Sequence, residues 1–272
     1  MADLIIFAAF LSFVAFLIAG KYRKFAAVSG WCCIILNLWS ELPAFISENN
    51  FLYPLLSLFA LPFLIITTDR LFHEDPAVLR LSRTAAIATV IWAPFALVPL
   101  IGNWLIAIMV TLVVHVITAL GHHPQLFAWD VIAENGFYNQ IILSCTGILA
   151  MAMMLGIVFG EAGLSFRQAV RAFMLIVPML FLLNLLRVAA VFIAVSDRWF
   201  AGFPDPTGTG DANFFWAHNV IAEGLALIFL FSFVWLLTRF IPVLGISAAD
   251  IARSYRTAIF RIRARDSEIR DL

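Results

Sequence analysis

Runs of apolar residues recur along this chain at about the length a bilayer demands, and they govern what it can fold into. A spanning α-helix needs roughly 20 mostly apolar residues. Eight stretches approach that length: 3–19, 25–45, 51–68, 85–101, 103–120, 144–159, 172–195 and 216–238. Of the 272 residues, 63% are hydrophobic and 12% charged, which is more apolar surface than a soluble domain of this size buries. The spacing therefore predicts an all-α integral membrane protein. A formal net charge of zero argues against nucleic acid as a partner. The first stretch follows Met1 with no basic n-region or small-residue cleavage site, so it reads as a retained helix.

Charge decides which stretches cross. Basic residues favour the cytoplasmic side of short loops. Here they cluster at Lys21–Lys24, at Arg70, Arg80 and Arg83, at Arg167 and Arg171, and in the tail from Arg239 onward. All four clusters lie inside only if 103–120 is not a crossing of its own. We therefore expect about seven transmembrane helices plus one extracytoplasmic interfacial or re-entrant helix at 103–120, with the N-terminus outside and the C-terminus inside. The expected location is the cytoplasmic membrane. Residues 1–247 read as one polytopic domain, and 248–272 as a basic amphipathic cytoplasmic tail lying on the anionic inner leaflet. The outer segments then collect Glu48, Asp130, Glu134, Asp197, Asp205 and Asp211, with Arg198 as their one basic residue. No internal repeat is visible, which argues against an inverted-repeat transporter.

An ionisable group inside a span costs a few kcal/mol on insertion scales and marks a functional site by default. Arg187 is such a group, about two turns below the outer end of its span, and Asn184 lies one turn earlier on the same face. A snorkelling arginine is the alternative, but positive charge is disfavoured on that side. Cys145 opens the preceding span, where an inward-running helix presents its positive dipole end to a thiolate. His218 starts the last span, followed by Asn219, and reads there as a neutral base. Glu223, about one turn deeper, reads as a buried partner for Arg187 or for another helix. A thiol, a guanidinium and an imidazole on three spans suit nucleophilic acyl transfer: a base takes the thiol proton, sulfur attacks a carbonyl, and a cation steadies the oxyanion. His115, His122 and His123 have no carboxylate at ligand spacing, so neither a metal nor any other cofactor is expected.

At these same residues the chain resembles the exosortase/archaeosortase family, and within it the archaeosortase A-like branch. The resemblance rests on Cys145-Thr146-Gly147-Ile148, Asn184-Leu185-Leu186-Arg187 and His218-Asn219-Val220-Ile221-Ala222, in that order, and covers about 85–239. It implies a membrane-embedded cysteine transpeptidase. Its partners would be exported proteins with a C-terminal signal: a PGF-like or PEP-like motif, a hydrophobic helix and a basic cluster. A membrane phospholipid would be the acyl acceptor. Carried over, Cys145 is the nucleophile, Arg187 orients it or stabilises the oxyanion, and His218 is the third catalytic group. Beside them, Asn184, Asn219 and Glu223 are expected to bind or orient substrate. The chain departs from the branch in one place. A second arginine is expected soon after the His-Asn pair, and Glu223 stands near that position. Two other readings remain open from sequence: an intramembrane cysteine protease releasing product to water, and a small-solute transporter.

Overall fold

The computed structural model describes residues 2–18, 20–50, 52–161, 165–206, 208 and 212–270, the last ten as backbone only. Asp211 lies outside the described residues, as do the side chains of the tail arginines from Arg261 onward. The first half of the chain forms α1 (Ala2–Ile18), α2 (Arg23–Ser40), α3 (Leu42–Ser47), α4 (Leu52–Phe72), α5 (Pro76–Leu97) and α6 (Pro99–Ala119). A small sheet follows, of β1 (Gln125–Ala128), β2 (Val131–Glu134) and β3 (Phe137–Gln140), and then a 3-10 turn (Leu143–Thr146). The second half forms α7 (Ile148–Phe159), α8 (Phe166–Ser196), α9 (Ala212–Phe214), a π-helical segment (Phe215–Ala222), α10 (Glu223–Phe240) and α11 (Pro242–Arg270). Helices dominate because a chain in lipid must satisfy its own backbone hydrogen bonds.

Among the described residues, five segments are long and apolar enough to cross a membrane: Arg23–Ser47, Leu52–Phe72, Pro99–Ala119, Phe166–Ser196 and Ala212–Phe240. Ala2–Ile18 and Ile148–Phe159 are shorter apolar helices. At 1.5 Å per residue α7 is only about 18 Å long, against roughly 30 Å of hydrocarbon. The set differs from the seven expected. The stretch 103–120, expected as an extracytoplasmic interfacial or re-entrant helix, is the one to compare. It belongs to α6, a full-length apolar helix built into the core.

The reason lies at Val98. This single extended residue (φ −109°, ψ 101°) joins α5 to α6, with Pro99 opening the new helix. From there α6 follows α8. Leu105 shares a core cluster with Ile176 and Leu180. Ile106, Met109, Val110, Val113 and Ile117 pack with Leu185, Val188, Ala189, Phe192 and Ile193. Just beyond the helix ends, His122 contacts Asp197, so α6 and α8 run in the same direction. α7 packs against α5 through Gly156 and Gly160: a Cβ at Gly156 would lie 2.6 Å from the Thr84 carbonyl oxygen. That GxxxG is helix packing.

The two ends of the bundle differ in charge. At one end Lys24 pairs with Glu74 at 3.6 Å and Arg80 with Asp250 at 2.9 Å. Arg70 donates to the Ser254 carbonyl, and Ser254 donates to Asp75 at 2.6 Å. Burial pushes the Asp75 carboxyl up, but the Ser254 hydroxyl, the Ala77 and Val78 amides and the Arg70 charge outweigh it and hold it below the usual range. The expected tail boundary at 247/248 thus falls inside one continuous helix, α11, whose Tyr255 hydroxyl meets Thr67 at 2.5 Å.

The other end carries the sheet, a small addition to an otherwise helical fold. Its strands are antiparallel in the order β1-β2-β3. The local cause is Asn135-Gly136, both at positive φ (52° and 80°), the pair that a tight two-residue hairpin turn prefers. Ile132 is fully buried beneath it, and Phe137 packs against Phe192 of α8 with ring centroids 5.6 Å apart.

Candidate active site

Cys145 lies in the 3-10 turn rather than in the first turn of α7. Gly147 separates the two at φ 75°, a conformation that costs a non-glycine residue roughly 1 kcal/mol or more. A Cβ there would stand 3.0 Å from the Asn184 side chain. The glycine therefore does two things: it turns the chain from the cysteine into α7, and it lets Asn184 press against the turn.

Asn184 uses that contact. Its amide donates to the Cys145 carbonyl at 2.6 Å, and its Oδ1 accepts from Arg187 Nε at 3.3 Å. One side chain therefore fixes the main chain of the cysteine turn and one edge of the guanidinium. Asn184 sits about 18 Å along α8 from its Ser196 end, so the cysteine turn lies well below the sheet. Among the described residues, only Nε of the Arg187 guanidinium is hydrogen-bonded, which leaves its terminal N–H groups available. Cys145 and Arg187 are both half-buried.

The imidazole comes from the π-helical segment, a backbone form found mostly as short bulges and often at functional sites. His218 stacks on Phe214, with centroids 4.9 Å apart and an interplanar angle of 8°. Its Nδ1 meets Asn219 Oδ1 at 2.7 Å. The Asn219 amide nitrogen donates to the carbonyls of Glu48 and Asn49, at 2.9 and 3.1 Å. Carbonyls only accept, so this network assigns the amide nitrogen to them and leaves Oδ1 for the ring. Nδ1 then carries the proton, and Nε2 keeps its lone pair.

The charge of Arg187 acts on both His218 and Glu223, which brings the three residues into one electrostatic neighbourhood. Glu223 is held by Asn50, whose amide donates at 2.8 Å, and it is not within ion-pair distance of Arg187. Among the described residues no hydrogen bond joins the Cys145 thiol directly to Arg187 or His218. The structure thus ties Cys145, Asn184 and Arg187 by hydrogen bonds, and reaches His218 and Glu223 through the field of the arginine.

Sequence reasoning missed residues 48–50. Asn50 is a buried polar side chain at 7% exposure, and this short segment holds both Asn219 and Glu223. Its only trace in the sequence is the polar run Glu48-Asn49-Asn50 between two apolar stretches. The histidines make no metal cluster among the described residues. Instead His122 lies between Glu134 (3.4 Å) and Asp197 (3.7 Å), clasping the sheet to the end of α8.

These features define a class: a multi-helix membrane protein with a cysteine, an arginine and a histidine recessed beneath one end of its bundle. No family model matches the chain, and no solved structure matches it. Two characterised relatives do. Archaeosortase A of Haloferax volcanii is 24% identical over 286 aligned positions, covering 92% of this chain and 93% of the relative. Archaeosortase A of Natronomonas pharaonis is 27% identical over 252 positions, covering 84% of this chain and 76% of the relative. Similarity of that extent supports membership of the archaeosortase/exosortase family, well beyond the 85–239 region where the motifs lie.

Proposed function

We propose that this protein is a membrane cysteine transpeptidase that processes the C-terminal sorting signals of exported proteins. The observation that carries the reading is Asn184. It holds the cysteine turn and the guanidinium in one unit, and the charge of that guanidinium reaches a histidine whose Nε2 is left as an acceptor. Similarity to the two archaeosortases A supports it independently.

In this reading the substrate is anchored by its own hydrophobic helix and presents its cut site at the depth of Cys145. His218 Nε2 takes the thiol proton while Sγ attacks the scissile carbonyl carbon. The oxygen becomes an oxyanion facing the terminal N–H groups of Arg187, charge-assisted donors suited to that role. The C–N bond breaks, and the imidazolium returns its proton to the leaving amine, which departs with the signal helix. The N-terminal part stays on sulfur as a thioester. A phospholipid amine then attacks the thioester, His218 takes its proton, and the thiol is regenerated. Burial of the site slows attack by water while the acceptor arrives. The active site faces the extracytoplasmic side, because the basic clusters lie at the opposite end of the bundle.

The test uses a reporter ending in a PGF-like motif, an apolar helix and a basic cluster, co-expressed with the full chain. The reporter should lose its helix and gain the mass of a lipid, and Cys145→Ala should leave it whole. Loss of the helix with no added mass would point to hydrolysis instead. Normal processing by Cys145→Ala would end the cysteine mechanism.

A further inference from the structure

The sheet has two edges, and they are not equivalent. β1 is irregular: its register to β2 shifts between Leu126 and Ala128, a bulge of the kind that blunts an edge against further pairing. β3 is regular. It pairs with β2 through Val131↔Gln140, Ile132↔Asn139, Ala133↔Tyr138 and Glu134↔Phe137. Ile141 extends the pattern by donating to the Asp130 carbonyl at 2.8 Å. In an antiparallel ladder, backbone groups face the partner at alternate residues. Residues 137, 139 and 141 therefore face β2, while the N–H and C=O of Tyr138 and Gln140 point away from the sheet. Among the described residues these outward groups have no partner.

This edge leads to the chemistry. β3 starts beside Phe192 of α8 and continues through Ile142 into the turn that carries Cys145, which is held at the level of Asn184. It thus descends along α8 from the sheet to the cysteine. A cavity of about 440 Å³ opens beside its start, lined by Asn135, Phe137, Ser196, Arg198 and Asn213 among others. The free edge begins at open space and leads, through Ile141 and Ile142, into the turn that carries the thiol.

We propose that the edge of β3 binds an extended polypeptide, the stretch of an exported protein just ahead of its cut site, as a fourth strand that delivers the scissile bond to Cys145. The proposal rests on the transpeptidase reading and names how its substrate is held. The occupant follows from the chemistry and the direction. Unpaired N–H and C=O groups at alternate positions recognise a peptide backbone, whatever its side chains, and strand addition to an exposed edge is a recurrent way to do so. A protein leading into its own C-terminal membrane helix runs from the exterior toward the bilayer, the same direction as β3, so it adds in parallel. Side-chain selection is then left to the residues nearest the cysteine.

The test uses the unaltered full chain in lipid nanodiscs. Synthetic peptides carry a ten-residue leader, a PGF-like motif, an apolar helix and a basic cluster, with one backbone N-methyl group moved along the leader. Each methyl removes one donor. In strand addition, the half-saturation concentration should rise about tenfold at alternate leader positions and stay within twofold at those between, the scale of one hydrogen bond. Gln140→Pro removes an outward N–H from the edge and spares the backbone ladder to β2, but it also loses the Gln140 side-chain bond to Asp130 at 2.8 Å. Gln140→Ala loses that bond alone, so Gln140→Pro should raise KM by a similar factor over Gln140→Ala with kcat retained. Its Cys145 should alkylate at the normal rate if the fold is kept. A flat response along the leader, with the unmethylated peptide processed normally, overturns strand addition alone. An unmethylated peptide left whole overturns the transpeptidase reading and the strand proposal with it.

Discussion

The two halves of the candidate site are held in different ways. The thiol and guanidinium half is self-contained: Gly147, Asn184 and Arg187 lie on consecutive elements and lock together through one amide side chain. The imidazole half is borrowed. His218 and Asn219 lie on a π-helical segment whose position depends on the carbonyls of Glu48 and Asn49, and Glu223 depends on Asn50. Those three residues lie between α3 and α4, in the part of the chain outside the motif region. The difference teaches that α1–α4 are not merely extra membrane anchors: the connection between α3 and α4 holds Asn219 and Glu223, one wall of the candidate site.

The comparison can be broken from either side. Arg187→Lys should have the largest effect among variants that keep Cys145, about a hundredfold loss of kcat, because an ammonium cannot match the planar fork toward both Asn184 and an oxyanion. Reporter turnover checks this, and full activity would reduce Arg187 to a neutralising charge. Gly147→Ala should come next, with about a tenfold loss of kcat, since both its φ of 75° and the 3.0 Å approach to Asn184 resist a Cβ. The alkylation rate of Cys145 should change with it. Asn184→Ala should cost a similar factor, and the loss should not add to that of Gly147→Ala, because both act on one contact.

The smallest effects should come from the borrowed half. Asn50→Ala takes away the partner of a half-buried carboxylate and should lower stability by about 1–3 kcal/mol, with only a several-fold fall in turnover. Thermal unfolding in nanodiscs separates the two. Asn219→Ala should shift the acid limb of the rate profile, since it frees His218 to change tautomer, whereas a purely structural role would leave that limb in place. If Asn50→Ala abolished turnover while the fold stayed intact, the borrowed half would be as tightly coupled to the chemistry as the other.

How much of this could be read in the sequence follows the same division. Cys145, Asn184, Arg187 and His218 were legible as candidates because their polar groups stand out against apolar runs, and because Asn184 and Arg187 are one turn apart on a helix. The anchoring of Asn219 by residues 48–50 was not, since it joins positions about 170 apart in the chain and leaves no local mark. The sheet had a signal in Asn135-Gly136, but three four-residue strands carry little weight beside long apolar helices. The bend at Val98 also had one, in Pro99; hydropathy alone sees two apolar helices and cannot tell a kinked path from a hairpin. The π-helical backbone around His218 has no compositional signature.

The central claim is that the acyl group of the substrate passes through the sulfur of Cys145. Intact-mass analysis of the full chain, mixed with the signal peptide in nanodiscs made of lipids without a primary amine, tests it most directly. The account predicts an adduct equal to the peptide up to its cut site, mapped to Cys145 and released by hydroxylamine. Cleavage of the peptide with no adduct on Cys145 at any time, and undiminished in Cys145→Ala, would contradict it.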